Sequence, residues 1–499
     1  MSVPQKKVIV IGSGIGGLSS ALLLAHAGCE VTVLERAAGP GGKLAGAAVS
    51  GSVLDVGPTV FTMRWVFEEI FAAIGESLDD AITLDPLDIL ARHAWCDGAR
   101  MDLHADIHQS AGAIGTFAGA AEGQRFLAFC AHAKRIYETL EPSFIRAHEP
   151  SLMGLVGGLL PRRPGDLWAI TPFKSLWDML GTYFNDPRLQ QLFGRYATYC
   201  GGSPWRSPAT LMLVAHVERS GVWSVRGGMR QIAHAMTARL ASRGATLRCN
   251  TQVQEIIVSG GRASGVVLAS GEVLKADAVV ANSDVSAIAS GLFGSAVAKV
   301  AGIREVTAKK RSLSAITFAL NAPTSGFPLH RHNVFFSPDY AQEFAQLAEL
   351  RQIPDVPTVY VCAQDRTDNE IAAGTPERLF CIVNAPANGD EQTLSDSEIK
   401  RHTDATFNVL QRCGLAIDQS SSASLTSTQD HFAERFPGTG GALYGRAPHG
   451  PMSSFQRPGV RSKLPGLFLA GGSAHPGPGV AMSALSGRMA AAEILKEFK

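Results

Sequence analysis

The sequence predicts an α/β fold that contains a Rossmann-type dinucleotide-binding domain, and three observations support this prediction. A β-branched run at residues 8–11 leads into a glycine-rich turn and then into an apolar segment with helical spacing. A second β-rich run follows and ends on an acidic residue, which completes a βαβ unit. The remaining chain mixes strand-like and helix-like stretches, so a second domain of mixed sheet and helices is expected.

The glycine-rich turn has the pattern G-x-G-x-x-G, formed by Gly12, Gly14 and Gly17. Gly12 permits the tight turn, Gly14 lets the backbone approach a pyrophosphate, and Gly17 lets the helix pack closely on the strand. The predicted helix, residues 15–26, would then direct its positive end at the phosphates. A glycine turn that binds nothing is the structural alternative.

Glu35 ends the predicted second strand, residues 30–34, about twenty residues after the glycine turn. A carboxylate at this point accepts hydrogen bonds from ribose hydroxyls and repels a 2′-phosphate, which argues against NADP. A solvated acid at a strand end is the alternative.

Composition narrows the class of protein. The length of 499 residues suits two domains, and a net charge of +1 offers no basic patch for a nucleic acid. The 8 cysteines are scattered without a CxxC pair or a zinc-ligand spacing, so we expect reduced thiols and no metal. Glycines interrupt the apolar run at residues 8–27, which is therefore not expected to be a signal peptide, and no spanning helix is predicted.

The rest of the chain predicts further elements. Residues 91–219 are expected to be mostly helical, and Thr62 is a candidate N-cap for a helix after it. A glycine- and proline-rich loop is expected at residues 436–458 and a helix at 479–498. Strands are predicted at residues 251–257, 265–268, 278–281, 312–320, 358–363, 378–384 and 467–470.

The residues after Glu35 carry a family resemblance. Arg36 and the segment 39–43 form the pattern E-R-x-x-x-P-G-G-K, which resembles FAD-dependent amine oxidases and phytoene desaturase-type enzymes. The resemblance implies that Gly41 and Gly42 wrap the phosphates and that Arg36 and Lys43 lie at the cofactor. Residues 55–59 resemble the family's D-x-G-P-T segment, and residues 223–228 its W-x-x-x-G-G segment. By this resemblance Gly57, Pro58 and Thr59 lie beside the isoalloxazine, and the Val253 backbone meets the adenine.

Residues 466–480 resemble the carotenoid desaturase block H-P-G-x-G. The resemblance implies that Gly472, Gly479 and Val480 lie at the flavin, with a helix end directed at its N1–C2=O edge. The acid that many amine oxidases carry here is absent, which favours the carotenoid branch. No catalytic side chain is assigned because the chemistry occurs at flavin N5; His475, Arg146 and Glu149 are weak candidates, and Glu218 is another possible proton acceptor.

Two longer blocks, residues 57–68 and 475–487, resemble the hydroxyneurosporene (methoxyneurosporene) desaturase subgroup, which acts on the C-3,4 bond of an acyclic carotenoid. Ala481 departs from the proline of many relatives. The implied fold is a Rossmann-type FAD-binding domain of the amine oxidase/glutathione reductase type with a mixed-sheet and helical substrate domain. The FAD-binding domain is expected to comprise residues 1–90, 221–290 and 456–499, and the substrate domain residues 91–220 and 291–455.

The expected activity is FAD-dependent desaturation of an apolar carotenoid, with oxygen or a quinone as electron acceptor. Apolar and basic residues at 151–184 predict contact with a membrane surface, and the expected location is cytoplasmic, peripheral to the inner membrane. A phytoene desaturase, a cis–trans isomerase, a terminal-methyl oxidase and a lipid-binding module like the GDP-dissociation inhibitors remain alternatives. Candidate channel residues are Trp168, Phe173, Trp177, Tyr183, Phe184, Phe193, Tyr196 and Tyr199.

Overall fold

The computed structural model describes residues 5–149, 153, 170–171, 173–366, 371–372, 374–419 and 424–499. Its α-helices are α1 (Ile15–His26), α2 (Arg64–Ala73), α3 (Ile107–Ala118), α4 (Ala120–Leu140), α5 (Leu176–Tyr183), α6 (Pro187–Gly194), α7 (Leu213–Arg219), α8 (Arg230–Ala241), α9 (Val285–Ala289), α10 (Ser295–Val300), α11 (Tyr340–Ala345), α12 (Asp396–Arg412), α13 (Gln429–Arg435) and α14 (Val480–Glu497). Its strands are β1 (Lys7–Ile11), β2 (Glu30–Leu34), β3 (Gly46–Val49), β4 (Ser52–Asp55), β5 (Leu84–Pro86), β6 (Ile89–Ala94), β7 (Arg100–His104), β8 (Trp223–Val225), β9 (Thr246–Arg248), β10 (Val253–Ser259), β11 (Arg262–Leu268), β12 (Val273–Lys275), β13 (Ala278–Ala281), β14 (Ser314–Ala322), β15 (Thr324–Ser325), β16 (His332–Phe335), β17 (Val359–Ala363), β18 (Glu377–Ala385), β19 (Ala416–Ile417), β20 (Ser424–Ser427) and β21 (Leu467–Leu469).

A parallel sheet joins distant parts of the chain. Its 5 strands follow the order β21-β13-β1-β2-β9, so the first strand is flanked by one from the middle and the last strand lies at the edge. Helices cover one face of this sheet, and the antiparallel sheet β10-β11-β12 packs on the other. Because both faces are buried, successive residues of its central strands are apolar. The βαβ unit predicted from the sequence is confirmed.

The second large sheet has 7 strands in the order β20-β14-β18-β17-β16-β6-β7. Most neighbours run antiparallel, and only β16 and β6 pair in parallel among the strands described in this sheet. One face packs on α12, and the other faces the hairpin β3–β4 and the helices α4 to α7. The predicted fold class, a Rossmann-type domain with a mixed-sheet and helical domain, is confirmed, while the predicted domain bounds stay a prediction.

Two local predictions were wrong. The start of the region expected to be helical forms the hairpin β6–β7 instead, and its tight turn at Asp97-Gly98, with Gly98 at a φ of 87°, is a hairpin signal that outweighs the apolar content. Helix α2 begins after Met63, which has the left-handed φ of 52°, so Thr62 is not its cap.

Among the described helices, none has both the length and the apolar composition needed to cross a bilayer.

The packing of α14 on α1 yields a stability prediction. An ideal Cβ on Gly487 would lie 2.0 Å from the carbonyl oxygen of Gly16, so the two helices touch through backbone. We expect Gly487→Ala to lower the free energy of unfolding by about 1–3 kcal/mol because of this overlap. The thermal unfolding midpoint measures the change.

Gly181→Ala is the matched control. Gly181 lies in α5, and no atom of the described residues beyond its own helix backbone lies within 4 Å of its ideal Cβ, so the added methyl group should leave stability equal or slightly higher. If Gly487→Ala unfolds at the wild-type temperature, the backbone contact between α1 and α14 does not restrict this position.

Candidate active site

The turn after β1 is closed by backbone contacts that exclude side chains. Gly12 has a φ of +90°, and an ideal Cβ on Gly17 would lie 2.1 Å from the Gly12 carbonyl oxygen. A Cβ on Gly14 would lie 2.8 Å from Nδ2 of Asn282, which in turn donates to the Gly12 carbonyl at 3.2 Å. Asn282, the residue after β13, therefore stabilises the glycine turn through this hydrogen bond. The sequence reasoning had not assigned it this role.

Glu35 lies at the end of β2 and faces this turn. It is 7% exposed, and Oε2 accepts from the backbone N–H and the hydroxyl of Ser13 at 2.8 and 2.7 Å. Oε1 accepts from the Ala37 N–H at 2.8 Å. The Glu35 carbonyl accepts from Thr251, two residues before Val253 in the chain, so the two predicted adenosine contacts lie in one region. Oε2 already accepts two hydrogen bonds and Oε1 accepts one, so Oε1 retains a lone pair that a ribose hydroxyl can use.

A second glycine segment lies against the first. Gly41 forms a parallel bridge with Gly14, and its N–H donates to the Ser13 carbonyl at 3.0 Å. An ideal Cβ on Gly42 would lie 3.1 Å from the Gly14 Cα, and one on Gly57 would lie 1.8 Å from the Lys43 carbonyl oxygen.

The contact between Gly57 and the Lys43 carbonyl fixes the position of the residues that follow Gly57 relative to the second glycine segment. Pro58 and Thr59 follow it directly, and Thr59 is buried. Arg36 points elsewhere, because its guanidinium donates to the carbonyls of Glu434 and Arg435.

Basic side chains collect beside the second loop. The Lys43 ammonium donates to the Leu443 carbonyl at 2.5 Å, and Arg435 donates to the Gly42 carbonyl at 3.4 Å. Arg457 is 9% exposed, and its partners among the described residues are backbone carbonyls, including that of Gly472 at 3.0 Å. Sequence reasoning missed Arg435, which ends α13, and Arg457, which lies in the glycine- and proline-rich loop, because both reach this site only through tertiary contacts.

This collection of charges has an excess of cations. Burial is the main cause that lowers the pKa of Lys43; Asp284 opposes it, and the charges of Arg435 and Arg457 lower it further. Burial likewise lowers the pKa of Arg457, with Asp284 again opposing. A bound anion would relieve this repulsion, and a pyrophosphate has the matching charge.

The segment after β21 completes the arrangement. Gly472 follows the strand, and an ideal Cβ on it would lie 3.3 Å from Oγ of Ser483 in α14. Gly479, with a φ of +116°, is the N-cap of α14, and Val480 is its first residue. The first turn of α14, all of it described, has no acidic side chain, so its free N–H groups present an uncompensated positive end.

Together the segments 12–17, 41–43 and 471–480, with the side chains of Glu35, Arg435 and Arg457, form what we call the cofactor cradle. The cradle has the shape and charge that a dinucleotide requires: contacts too close for a Cβ, a buried carboxylate for a ribose, and an excess of cations for phosphates. The residues present therefore fit the cofactor that the sequence predicts.

The weak catalytic candidates occupy different surroundings. Arg146 pairs with Glu69 at 3.0 Å and Glu141 at 2.9 Å, and Glu149 is exposed. The His475 ring lies against Phe144 with centroids 5.1 Å apart, and its nitrogens have no hydrogen-bond partner among the described residues. Burial lowers the pKa of His475 to about 4, so its ring is neutral at physiological pH.

The predicted channel residues fall into two groups. Phe184 and Phe193 are fully buried and stacked at 4.9 Å, which is ordinary core packing. Tyr196 and Tyr199 instead direct their hydroxyls at Glu218, which is buried, and Tyr199 is itself half-buried. Trp168 lies outside the described residues.

Comparison with known proteins places these features in a family. A family profile described as flavin containing amine oxidoreductase matches residues 15–495. The chain is 52% identical to a hydroxyneurosporene desaturase of Rubrivivax gelatinosus over 490 residues, which cover 98% of this chain and 93% of the relative. It is 41% identical to a hydroxyneurosporene desaturase of Cereibacter sphaeroides, with 99% of this chain and 98% of the relative covered.

The fold also recurs among solved structures. A triple mutant of putrescine oxidase superposes with a TM-score of 0.61 at 14% identity, covering 99% of both chains. At this identity the likeness supports the fold alone.

The buried histidine provides a test of stability against pH. The pKa of His475 is about 4 in the folded protein and about 6.5 when unfolded, so the unfolded state binds the proton first as the pH falls. Stability should therefore decrease between about pH 7 and pH 4, and His475→Gln should reduce the loss between pH 7 and pH 5 by about 2 kcal/mol. Denaturant unfolding of the cofactor-loaded protein at both pH values measures it.

His93, His332 and His449 are also buried with lowered pKa values, so the variant should retain part of the pH dependence. An unchanged loss of stability in His475→Gln would show that this ring protonates in the folded protein near its ordinary pKa.

Proposed function

The chain belongs to the flavin containing amine oxidoreductase family, is an FAD-dependent oxidoreductase, and we propose that it desaturates the C-3,4 bond of a hydroxyneurosporene-like acyclic carotenoid. The observation that carries the substrate assignment is the 52% identity to a hydroxyneurosporene desaturase across 98% of this chain. The described residues support it with a dinucleotide cradle and with a large apolar core that extends from the parallel sheet into the helical part of the substrate domain.

We propose that the cofactor cradle holds FAD along its length. Glu35 would bind the adenosine ribose, with the Val253 backbone near the adenine. Gly12, Gly14, Gly17, Gly41 and Gly42 would admit the pyrophosphate, and Lys43 and Arg435 would balance its charge. Gly57, Pro58, Thr59, Gly472, Gly479 and Val480 would surround the isoalloxazine. Arg36 would act indirectly, by fixing Arg435 through its carbonyl.

The reaction removes two hydrogens from adjacent carbons. FAD, when bound, supplies the hydride acceptor at N5. One carbon loses a hydride, its neighbour loses a proton, and the electrons of the second C–H bond form the new double bond. Positive charge that develops on the substrate is spread over the conjugated polyene, so a strong base near the reacting carbons is unnecessary. The protein's tasks are to hold the polyene against the cofactor and to exclude water.

A carotenoid substrate requires access from lipid. Phe173 is 87% exposed and Lys174 is exposed beside it, within the stretch 151–184 that is expected to contact the membrane. Met153 is 86% exposed; Arg162 and Arg163, between these positions, lie outside the described residues. An apolar ring next to a cation suits the interface of a bilayer. We propose that this part of the protein rests on the inner membrane from the cytoplasmic side.

The cofactor must return two electrons after each turnover. Oxygen or a membrane quinone would take them up, with the two protons, to yield peroxide or a quinol. A membrane-bound enzyme has both within reach.

Glu35→Ala tests the ribose contact. We expect the dissociation constant for FAD to rise about tenfold to a hundredfold, because a buried charge-assisted hydrogen bond is lost, while the fold remains. Equilibrium dialysis with FAD measures the affinity, and circular dichroism verifies the fold. Glu30→Ala is the control, because Glu30 lies on the same strand but pairs with Lys7 at the surface. Equal FAD affinity in Glu35→Ala and wild type would remove the ribose role.

Turnover in vesicles tests the activity. The purified, FAD-loaded protein should sediment with vesicles of anionic lipid and convert an embedded hydroxylated acyclic carotenoid into a product lighter by two hydrogens. Assays under air, and under nitrogen with a quinone, identify the acceptor. A product of unchanged mass would instead identify an isomerase, added oxygen a terminal-methyl oxidase, and carotenoid binding without FAD a non-redox lipid-binding module. Conversion of phytoene but not of the hydroxylated carotenoid would identify a phytoene desaturase.

A further inference from the structure

A chain of polar side chains leads from the cofactor cradle into the substrate domain. Thr59 Oγ1 lies 2.6 Å from the Tyr360 hydroxyl, and that hydroxyl lies 2.7 Å from Nδ1 of His332. Thr59 is two residues after Gly57, which packs on the Lys43 carbonyl. The chain therefore begins beside the proposed flavin position and ends on β16 in the seven-stranded sheet.

His332 has one nitrogen with no partner. It is 2% exposed, and its Nε2 has no hydrogen-bond partner among the described residues. Burial, followed by the charges of Arg331 and Arg195, lowers the pKa of His332 to about 3, so the ring is neutral. A neutral imidazole has one N–H and one bare nitrogen, and Tyr360 uses only Nδ1. A buried nitrogen without a partner is costly, so this one indicates a missing ligand group.

Arg195 lies near Tyr360, the hydrogen-bond partner of His332, and most of its N–H donors make no hydrogen bond to the described residues. Its guanidinium carbon lies 5.9 Å from the Tyr360 ring and 5.1 Å from the Tyr199 ring. Nη2 donates to the Tyr199 hydroxyl at 3.2 Å, the only hydrogen bond of this guanidinium to the described residues. The Tyr199 hydroxyl also donates to the Glu218 carboxylate, which therefore balances the Arg195 charge without contacting it. The remaining N–H groups of Arg195 are available to a ligand.

Resting on the proposed function, we infer that Arg195 and His332, with His332 oriented by Tyr360, form a subsite for the hydroxyl oxygen of the substrate's end group. A hydroxyl oxygen accepts from an Arg195 N–H and exchanges a hydrogen bond with His332 Nε2, because it both donates and accepts. Desaturation at C-3,4 leaves only a short end group beyond the reacting bond. Its oxygen must then lie close to the cofactor, where Thr59 begins the polar chain.

The subsite explains discrimination between two nearly identical ligands. A hydrocarbon end group in this position would leave the guanidinium and the imidazole without partners inside the protein. Sites that hydrogen-bond a ligand hydroxyl reject the analogue that lacks it for this reason. Arg195, His332 and Tyr360 would therefore select the hydroxylated carotenoid and determine which of its ends meets the cofactor.

Binding measurements separate the subsite from the reaction. The FAD-loaded full chain in detergent micelles is titrated with a monohydroxylated acyclic carotenoid and with its hydrocarbon counterpart, and quenching of protein fluorescence reports both dissociation constants. We expect the wild type to prefer the hydroxylated ligand by about tenfold or more. Arg195→Met should abolish most of that preference by weakening the hydroxylated ligand alone, and Arg195→Lys should restore part of it.

Arg92→Met is the matched control: the Arg92 backbone pairs with Asn333, next to His332, but its guanidinium contacts Asp102 at 2.7 Å and the Pro328 carbonyl rather than the subsite residues. It should retain the wild-type preference. Tyr360→Phe preserves the ring and should also reduce the preference, which keeps the test available if Arg195→Met fails to fold. FAD content and the thermal midpoint verify each variant.

The outcomes of the subsite and of the proposed function differ. Wild-type preference in both Arg195→Met and Tyr360→Phe, or equal weakening of both ligands, overturns the subsite. Turnover of both carotenoids without any preference also overturns it, although the desaturase function would stand. If the wild type prefers the hydroxylated ligand and the variants lose that preference, the subsite is supported. If no product lighter by two hydrogens forms in the same experiments, the proposed function is wrong.

Discussion

Backbone contact at the glycine turn is the constraint on which the rest of the structure depends. Gly16 touches Gly487 in the last helix, Gly17 touches the Gly12 carbonyl, and Asn282 fills the space that Gly14 leaves. These contacts tie together the beginning, the middle and the end of the chain. Because the parallel sheet places β21, β13 and β1 side by side, the strand ends meet at one edge, and the dinucleotide site lies where they meet.

Charge divides the interior into two environments. The cofactor cradle collects Lys43, Arg435 and Arg457, which are opposed by two carboxylates, Asp284 and Glu35. The helical part beyond it is filled with stacked phenylalanines and contains few polar groups. The chain from Thr59 to His332 leads from the first environment to the seven-stranded sheet, where Arg195 of the helical part lies over the Tyr360 ring. An apolar substrate with one polar end suits this boundary better than a pure hydrocarbon would.

Local patterns predicted the parts of the fold that depend on local chemistry. The βαβ unit, the late strand and the last helix follow from glycine spacing and β-branched runs, because those residues restrict the backbone wherever they occur. The hairpin β6–β7 was not predicted. Asp97-Gly98 marks its turn, but the apolar residues around that turn also fit a helix, and the helical interpretation is wrong here. The contacts of Arg457 and Arg195 could not be predicted, because each depends on pairing between segments far apart in sequence.

The order of strands in the parallel sheet also bears on how the protein is made. β1 is synthesised before β21 and α14, so its sheet lacks its edge strand and α1 lacks its packing partner until that later segment has been made. Full assembly of the cofactor cradle therefore requires the segment 471–480. A polypeptide cut before β21 would lack one wall of the cradle, even with the glycine turn intact.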